Sequence, residues 1–307
     1  MTSDAVLVTG GAGFIGQHLT FELLSQGRNV VVLDDFSTGS PLPNHPRLRV
    51  IEGDISDPSI REEALHGVMS VINLAAIASV PLCESKPELS IEVNYRAAEK
   101  LFHEASERRV SAIIHASTSA LYGIPVELPL TEKSLTQPIG RYGIDKQRAE
   151  SSILSIKNTP ICALRLFNVF GPGQQKGSPY SGVLTIFSER IRNEEPLIIF
   201  GDGSQTRDFI HVFDVVSAFI ACLNDLENKG LKSKVNGEKF NVCSGESLTL
   251  LDVVEAFSTA CPGSPEVIFE QPRDGDILHS SGSNIALNQS IGWSPTEDFL
   301  QRLIELL

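Results

Sequence analysis

The stretch Thr9-Gly10-Gly11-Ala12-Gly13-Phe14-Ile15-Gly16 lies directly between an apolar strand candidate at Ala5–Thr9 and a helical pattern at Phe14–Gln26, which makes it a strand–turn–helix signal. Glycine permits a tight turn and a close approach of the backbone to a ligand. The first N–H groups of the following helix have no intrahelical partner, so they attract an anion. The pattern predicts a pyrophosphate site at Gly10, Gly13, Phe14, Ile15 and Gly16, although a turn followed by a helix start would use the same letters.

Acidic residues follow the next two strand candidates. Asp34 ends the second one, about twenty residues after the glycine turn, where a carboxylate accepts hydrogen bonds from the ribose hydroxyls of a dinucleotide. Asp34 and Asp35 would repel a 2′-phosphate, and no arginine is in place to receive it, so the sequence favours NAD over NADP. Asp54 and Ile55, after the third strand candidate, are placed to reach the adenine. For Asp54, an ordinary solvated loop acid stays an open alternative.

Strand and helix candidates alternate along the first half of the chain. The strands are nearly continuous apolar runs, which is typical of a parallel sheet covered by helices on both faces. The sequence therefore predicts an α/β fold with a Rossmann-like, doubly wound parallel sheet. The strand candidates are Ala5–Thr9, Asn29–Leu33, Arg47–Glu52, Ser70–Leu74, Ser111–Ala116 and Ile161–Leu166, and the helix candidates are Phe14–Gln26, Ser59–His66, Ile91–Arg108 and Tyr142–Ile156.

The amino-acid composition changes after Phe170, where Gly171-Pro172-Gly173 begins a predicted loop rich in glycine, glutamine, serine and proline. We predict an NAD-binding domain over residues 1–170 and a smaller, mixed α/β substrate lobe over residues 171–307. Residues 208–224 read as a further strand and helix that return to the first domain. The polar segment Asn228–Glu238 reads as a surface loop.

Composition excludes several classes of partner. The 307 residues carry a formal charge of −13, which repels nucleic acid and anionic lipid. No apolar stretch approaches the ~18 residues of a membrane span, and the N-terminus has no basic leader. The five cysteines are scattered and never in C-x-x-C spacing, which favours free thiols in a reducing cytoplasm over disulfides or metal ligands. We expect a cytoplasmic protein with no metal, nucleic-acid or membrane partner.

Tyr142 and Lys146 lie four residues apart in a helix candidate, so their side chains share one face. A phenol that acts as a base needs its pKa lowered from about 10 to about 7, which takes roughly 4 kcal/mol of differential stabilisation. A nearby ammonium and a positive nicotinamide can supply it. An exposed tyrosine and lysine would show the same spacing. The hydroxyl-rich segment Ser117–Gly123 favours the catalytic interpretation, because parallel sheets bind ligands where such a strand ends.

Seven segments, taken in their order along the chain, resemble the extended short-chain dehydrogenases/reductases of the NAD-dependent epimerase/dehydratase family. The resemblance is strongest to the UDP-hexose 4-epimerases of that family. The resemblance covers almost the whole chain. It implies that Thr118 hydrogen-bonds the reacting sugar oxygen, with Ser117 and Ser119 as neighbours that could replace it. It also implies NAD contacts from Leu74, Ala75, Ala76 and Asn94. The segments are Thr9–Gly16, Asn73–Ala76, Ser117–Gly123, Tyr142–Lys146, Arg165–Gly171, Arg207–Val212 and Arg273–Asp276.

The residues after Thr118 separate the reactions of this family. Related 4,6-dehydratases carry Thr-Asp-Glu and UDP-glucuronate decarboxylases Thr-Ser-Glu, where this chain has Thr118-Ser119-Ala120. Without the extra carboxylates, Tyr142, Thr118 and Lys146 suffice for reversible hydride transfer through a 4-keto sugar. We expect an NAD-dependent 4-epimerase. A dehydratase or decarboxylase that uses other groups stays open, as does a non-catalytic NAD-binding regulator.

An anionic UDP-sugar on an acidic protein needs local donors. The resemblance places Arg207 and Arg273 on the pyrophosphate, which guanidinium forks suit. It also places Asn168 near the phosphates, Val183 in a uridine-side segment at Gly177–Val183, and Asp276 on the ribose. Ser280 stands where a small residue leaves room for a 2-acetamido group, so UDP-GlcNAc and UDP-GalNAc are expected substrates. A serine on a polar surface strand is the alternative.

The resemblance further implies a homodimer through the helix candidates Ile91–Arg108 and Tyr142–Ile156, since a self-complementary helix pair suits a two-fold interface. The apolar faces of both helices could instead be used entirely by the chain's own sheet.

Overall fold

The computed structural model describes residues 4–174, 182–261, 265–272 and 277–307. Its strands are β1 Ala5–Thr9, β2 Val30–Asp34, β3 Leu48–Glu52, β4 Val68–Asn73, β5 Ala112–Thr118, β6 Ile161–Leu166, β7 Asn168–Phe170, β8 Leu197–Phe200, β9 Thr206–Arg207, β10 Phe209–His211, β11 Glu238–Val242, β12 Leu248–Thr249 and β13 Val267–Glu270. Its α-helices are α1 Phe14–Ser25, α2 Pro58–Ala64, α3 Val80–Ser85, α4 Pro87–Ser90, α5 Ala98–Glu107, α6 Gly140–Ser155, α7 Val183–Arg192, α8 Val212–Lys229, α9 Leu250–Ala260, α10 Ile285–Ile291 and α11 Phe299–Leu303. A π-helical segment spans Ile91–Ala97, and 3₁₀ turns span Ser119–Tyr122, Gly230–Lys232 and Ile304–Leu306.

A seven-stranded parallel sheet has the order β3-β2-β1-β4-β5-β6-β11. The chain builds β1 to β3 toward one edge and then crosses back to place β4 on the other side of β1. The helices after β1 and β4 therefore leave in opposite directions, and open α/β sheets bind ligands in the crevice at such a switch point. Thr9 and Asn73 are the last residues of these two strands.

Helices cover both faces of this sheet. On one face α1, α8 and α10 bury side chains such as Phe219, and on the other α2, α5 and α6 bury side chains such as Phe102. A strand covered on both faces must be apolar at every position, and Val6, Leu7 and Val8 of β1 are all fully buried. This is why the apolar runs in the sequence predicted the sheet.

The second half of the chain builds a separate core. Phe187 of α7, Leu197 of β8 and Phe257 of α9 are buried together with Leu303 of α11. The short strands here form two-stranded pairs, β7 with β10, β9 with β12 and β8 with β13. The division of the chain near residue 170 stays a prediction, because β11 and α10 return to the central sheet from beyond that point.

Most predicted elements form, with one correction. The six predicted strands are present, and helix α8, which begins within residues 208–224 and continues to Lys229, packs on the central sheet. The strand predicted in those residues forms as β10 but pairs with β7 instead of joining that sheet. The seventh strand is β11, which starts at the end of the predicted loop Asn228–Glu238. The first residues of β11 are polar, and β11 is an edge strand of the sheet. The segment therefore lacks the apolar run that marks a central strand.

Candidate active site

The glycine turn after β1 is held by close backbone packing. Gly10 has a φ of +69°, and a Cβ there would lie 2.8 Å from the Ala75 nitrogen. A Cβ on Gly16 would lie 2.0 Å from the Gly10 carbonyl oxygen. Helix α1 begins at Phe14 with Gly13 as its N-cap, and no side chain caps it. Its first N–H groups, including those of Phe14 and Ile15, are thus left for an anion.

Asp34, at the end of β2, is bound to the glycine turn. Its carboxylate accepts hydrogen bonds from the Ala12 nitrogen at 2.8 Å and the Phe36 nitrogen at 2.9 Å. Burial raises the pKa of Asp34, and the Ala12 and Phe36 N–H groups act in the opposite direction. The carboxylate therefore shapes the turn and still has lone pairs for ribose hydroxyls.

The predicted adenine-side residues lie beyond β3. Asp54 is exposed and accepts from the Ser56 nitrogen at 2.7 Å, so its side chain closes a local turn. Ile55 is buried, and its carbonyl oxygen accepts from the Arg61 guanidinium at 2.8 Å. Arg61 also forms an ion pair with Glu104 of α5. The cofactor roles of Asp54 and Ile55 stay predictions.

The segment after β4 carries Leu74, Ala75 and Ala76, all half-buried beside the glycine turn. Asn94, in the π-helical segment, fixes the far end of the segment that follows β4. The Asn94 amide oxygen accepts from the Ile77 nitrogen at 2.7 Å, and its amide nitrogen donates to the Ile77 carbonyl oxygen at 3.1 Å. The direct NAD contact predicted for Asn94 stays a prediction.

Tyr142 and Lys146 lie on successive turns of α6, and Thr118 ends β5 beside them. Burial raises the pKa of the Tyr142 phenol, and its hydrogen bond with the Thr118 hydroxyl lowers it. The Thr118 oxygen also accepts from the Ala120 nitrogen at 3.2 Å, which fixes its position. The structure thus brings the three predicted catalytic side chains together.

Lys146 is 3 % exposed and lies near two polar side chains, His115 and Glu150. Its Nζ is 3.3 Å from Nε2 of His115, which is itself fully buried. Burial lowers the pKa of Lys146 to about 7, while the negative charge of Glu150 acts in the opposite direction. Burial and Glu150 thus act in opposite directions on the charge of Lys146, which the sequence did not indicate.

Ser117 is engaged elsewhere. Its hydroxyl donates to the Glu150 carboxylate at 2.6 Å, and the same carboxylate is held by Arg165 at 2.6 Å. Arg165 also donates to the Tyr122 hydroxyl at 3.0 Å. Ser117 thus belongs to a buried ion-pair network under the site, and it does not stand in for Thr118.

The predicted substrate residues come from three separate segments. The Asn168 amide donates to the Asp208 carbonyl oxygen at 2.7 Å, which ties β7 to the segment that carries Arg207. The Ser280 nitrogen donates to the Thr206 carbonyl oxygen at 3.1 Å, so Ser280 lies next to the strand of Arg207. Val183 is the first residue of α7 and is partly buried. Arg273, Asp276 and residues 177–181 lie outside the described residues.

Several residues at the site were not predicted as site residues: Asn73, His115 and Glu150. His115 and Ser117 lie on the same face of β5 as Ile113, which packs in an apolar core. A polar residue in an otherwise apolar strand was the signal that could have found His115. Among the described residues no group of three or more His, Cys, Asp or Glu side chains could hold a metal.

Known proteins resemble this chain along almost all of its length. The model of the NAD dependent epimerase/dehydratase family matches residues 6–243. The UDP-glucose 4-epimerase of Streptococcus mutans is 31% identical over 322 residues, covering 98% of this chain and 94% of that protein. A UDP-N-acetyl-alpha-D-glucosaminuronate decarboxylase of Bacillus cytotoxicus is 31% identical over 273 residues, covering 85% and 82%. Among solved structures, the UDP-N-acetylglucosamine 4-epimerase of Methanobrevibacter ruminantium M1, in complex with UDP-N-acetylmuramic acid, has a TM-score of 0.91 at 34% identity and covers 100% of this chain and 97% of that one.

Proposed function

Because the chain belongs to the NAD dependent epimerase/dehydratase family, we propose that it is an enzyme that interconverts the C4 epimers of a UDP-hexose. The arrangement of Thr118, Tyr142 and Lys146 carries this proposal. Ser119 and Ala120, which follow Thr118, bring no carboxylate to the site. Thr118, Tyr142 and Lys146 can move a proton and hold an oxygen in place, and the residues after Thr118 add no further acid or base. Such a site suits the reversible oxidation of an alcohol and no additional reaction step.

The residues present fit NAD. The glycine turn leaves no room for a Cβ at Gly10 or Gly16, and no side chain caps the N-terminus of α1. Asp34, the last residue of β2, has its carboxylate beside this turn. This is the cradle that a pyrophosphate and an adenosine ribose require. When bound there, NAD would supply the reversible hydride acceptor that oxidation and reduction at C4 of the sugar require.

The side chains of this protein do the proton chemistry. Tyr142 takes the proton of the 4-hydroxyl as the C4–H bond breaks, and it returns that proton when the 4-keto sugar is reduced. Thr118 hydrogen-bonds Tyr142 and can hold the same sugar oxygen, so the oxygen stays in place during both steps. A charged Lys146 stabilises the Tyr142 phenolate and lowers the phenol's pKa.

The substrate side supports a UDP-sugar that can carry an N-acetyl group. Arg207 has a guanidinium suited to a diphosphate, and the neighbouring Ser280 is small and half-buried. A tyrosine at Ser280 would fill the volume that an acetamido group needs. Accordingly, Ser280→Tyr should abolish turnover of UDP-GlcNAc and spare that of UDP-glucose, with Ser280→Cys as the matched small control. Wild-type turnover of UDP-glucose alone would contradict this substrate assignment.

A homodimer is proposed through α6, α5 and the π-helical segment. The inward faces of these helices, including Leu101 and Ile153, are buried against the chain's own sheet. The outward surface has Arg148 over the ring of Tyr95, 5.8 Å from its centroid, which leaves a mixed polar and aromatic surface for a second copy. Light scattering at micromolar concentration should give twice the mass of one chain. A monomer mass would contradict the proposal.

The described residues contain no helix long and apolar enough to cross a membrane. With the chain's formal charge of −13, we propose a cytoplasmic enzyme that does not bind nucleic acid. Retention of the protein on a polyanion column at physiological salt would contradict this.

The relative from Bacillus cytotoxicus favours a second candidate, decarboxylation of a UDP-uronic acid. A 4-keto intermediate serves both reactions, so the fate of the sugar distinguishes them. Incubation with UDP-glucose, UDP-GlcNAc and their uronic acids, followed by NMR of the products, should show C4 epimers only. Carbon dioxide and a UDP-pentose would establish the second candidate, and an inert protein that still binds NAD would indicate a regulator.

A further inference from the structure

One buried carboxylate lies where three segments of the chain meet. Asp208 stands between β9 and β10 and is fully buried. Its Oδ1 accepts hydrogen bonds from the Ser244 nitrogen and from the Ser244 hydroxyl, both at 2.8 Å. Its Oδ2 accepts from the Gly245 nitrogen at 3.1 Å and from the Gly282 nitrogen at 3.2 Å. The carboxylate therefore joins its own segment to the residues after β11 and to the segment 277–283.

The four donors require an ionised carboxylate. All four are uncharged N–H or O–H groups, and a carboxylate can accept from all of them because each oxygen has two lone pairs. A protonated carboxyl carries an O–H that must itself donate, so at least one of the four bonds is then reversed or weakened. Burial raises the pKa of Asp208 to about 6, and the hydrogen bonds from Ser244, Gly282 and Gly245 act in the opposite direction.

Two predicted substrate residues lie directly beside these contacts. Arg207 precedes Asp208, and its guanidinium donates to the Thr206 carbonyl oxygen at 2.9 Å. Ser280 stands two residues before Gly282, and its nitrogen donates to the same carbonyl oxygen at 3.1 Å. The bond from Gly282 to the carboxylate thus holds the segment of Ser280 against the segment of Arg207.

We propose that Asp208 is a positioning residue whose ionised carboxylate holds Arg207 and Ser280 at the spacing that a UDP-sugar requires. The inference rests on the proposed function, because it concerns how the substrate named there is bound. Arg207 is assigned to the diphosphate and Ser280 to the 2-substituent of the sugar, so one ligand meets both only when their segments keep a fixed separation. Protonation of Asp208 loosens that separation and weakens binding.

Other titratable groups adjoin the carboxylate. Burial and the negative charge of Asp208 raise the pKa of the Cys243 thiol, which therefore stays neutral. His279 has its Nδ1 3.2 Å from the Thr206 hydroxyl, so its protonation could imitate that of Asp208. The charged or titratable side chains on the described segments around Asp208 are Arg207, Cys243, Glu132, Glu246 and His279.

The pH dependence of UDP-sugar affinity tests the proposal. Each phosphate of UDP-glucose or UDP-GlcNAc has a single, strongly acidic hydroxyl, so neither ligand changes its charge over the range used. Calorimetry on the NAD-loaded protein should show the affinity falling below about pH 6, to about a tenth of its plateau at about pH 5, because only the ionised fraction binds well. Asp208→Asn does not titrate, so its weaker affinity should not fall over that range. The NAD content is measured at each pH.

Ser244→Ala tests the same carboxylate while leaving it in place. The variant removes the hydroxyl donor and keeps the Ser244 N–H, so the pKa of Asp208 should rise. With each curve scaled to its own plateau, the midpoint should move upward by about one pH unit. Ser204→Ala is the matched control, because the Ser204 hydroxyl donates at 2.6 Å to Asp202, an exposed carboxylate, and its midpoint should not move.

His279→Gln separates the two groups that could titrate, and its midpoint should equal that of the wild type. A flat wild-type curve, an equal fall in Asp208→Asn, or a midpoint unmoved in Ser244→Ala but lost in His279→Gln would overturn the role of Asp208. If Asp208→Asn does not fold, the midpoints of Ser244→Ala and His279→Gln decide. A protein that binds neither sugar nucleotide at any pH would refute the proposed function as well, whereas pH-independent binding would overturn only the role of Asp208.

Discussion

The proposed cofactor half of the site, built on β1 to β6, and the proposed substrate half, built on β7, β9 and α7, are organised differently. In the cofactor half each group is fixed by a close neighbour, as Asp34 is by the Ala12 nitrogen at 2.8 Å. In the substrate half, distant segments are joined through one buried carboxylate. Asp208 accepts from the Ser244 nitrogen at 2.8 Å and the Gly282 nitrogen at 3.2 Å, and burial raises its pKa to about 6.

This difference indicates a division of labour. Groups that move protons or hydride must keep their positions closely, since small displacements cost much of the rate. Groups that grip a nucleotide can come from separate segments, because each contributes binding energy on its own. Substitutions in the cofactor half should therefore lower kcat or remove NAD, whereas substitutions in the substrate half should raise KM and leave NAD in place.

The largest effect is expected at Tyr142. Tyr142→Phe removes the acid/base and should lower kcat by a factor of about 10² or more, as loss of a positioned proton-transfer group does. Binding of the UDP-sugar, measured by calorimetry, should be unchanged, because the substrate half is untouched. A folded variant with near-normal kcat would show that Tyr142 is not the acid/base.

The glycine turn tests whether the cofactor half depends on backbone packing. A Cβ on Gly16 would meet the Gly10 oxygen at 2.0 Å, whereas on Gly13 it would lie 3.3 Å from that oxygen. Overpacking typically costs about 1–3 kcal/mol, so Gly16→Ala should weaken NAD binding roughly 5- to 150-fold. Gly13→Ala is the matched control and should bind NAD more tightly than Gly16→Ala. Equal affinities in the two variants would contradict the packing argument.

The same difference explains what the sequence could predict. The glycine turn, Asp34, Tyr142 and Lys146 are set by spacing within one strand–turn–helix unit or one helix, so local patterns indicate them. The contacts of Asp208 and the pairing of β11 with β6 join residues far apart in the sequence, and no local pattern encodes them. His115 lies between these cases, since its strand was predicted but its partners come from β4 and α6.

A smaller effect is expected at Arg207 in the substrate half. Arg207→Ala removes a guanidinium from the proposed diphosphate site and should raise KM for a UDP-sugar roughly tenfold, given the strength of hydrogen bonds to charged groups. Copurified NAD, measured by absorbance after heat release, should equal that of the wild type. Arg207→Lys should give an intermediate KM, because it retains the charge without the fork. Loss of NAD from Arg207→Ala would show that the two halves are not separable.

The smallest effect concerns acid stability where the halves meet. His211 begins the turn into α8 and is 2% exposed, and burial lowers its pKa to about 4 from 6.5. Because the folded-state pKa is lowered, the neutral ring contributes stability above pH 6.5, and this contribution is lost progressively as the pH falls from 6.5 toward about 4. His211→Asn keeps an acceptor for the Phe213 nitrogen but does not titrate.

Urea midpoints at pH 7 and pH 4.5 check this prediction. The midpoint of His211→Asn should fall less between the two pH values than that of the wild type. His103→Asn, at an exposed position of α5, is the control and should follow the wild type. Equal losses in all three proteins would assign the acid sensitivity to other groups.

Epimerisation by the proposed route requires that hydride leaves C4 of the sugar and returns to the same carbon within one active site. The most direct test is turnover of a UDP-hexose deuterated at C4, in ordinary water, with no cofactor added beyond what the protein carries. NMR should show the C4 epimer with deuterium retained at C4 and no accumulation of reduced dinucleotide. Loss of the deuterium to solvent, or a product other than the epimer, would contradict the account.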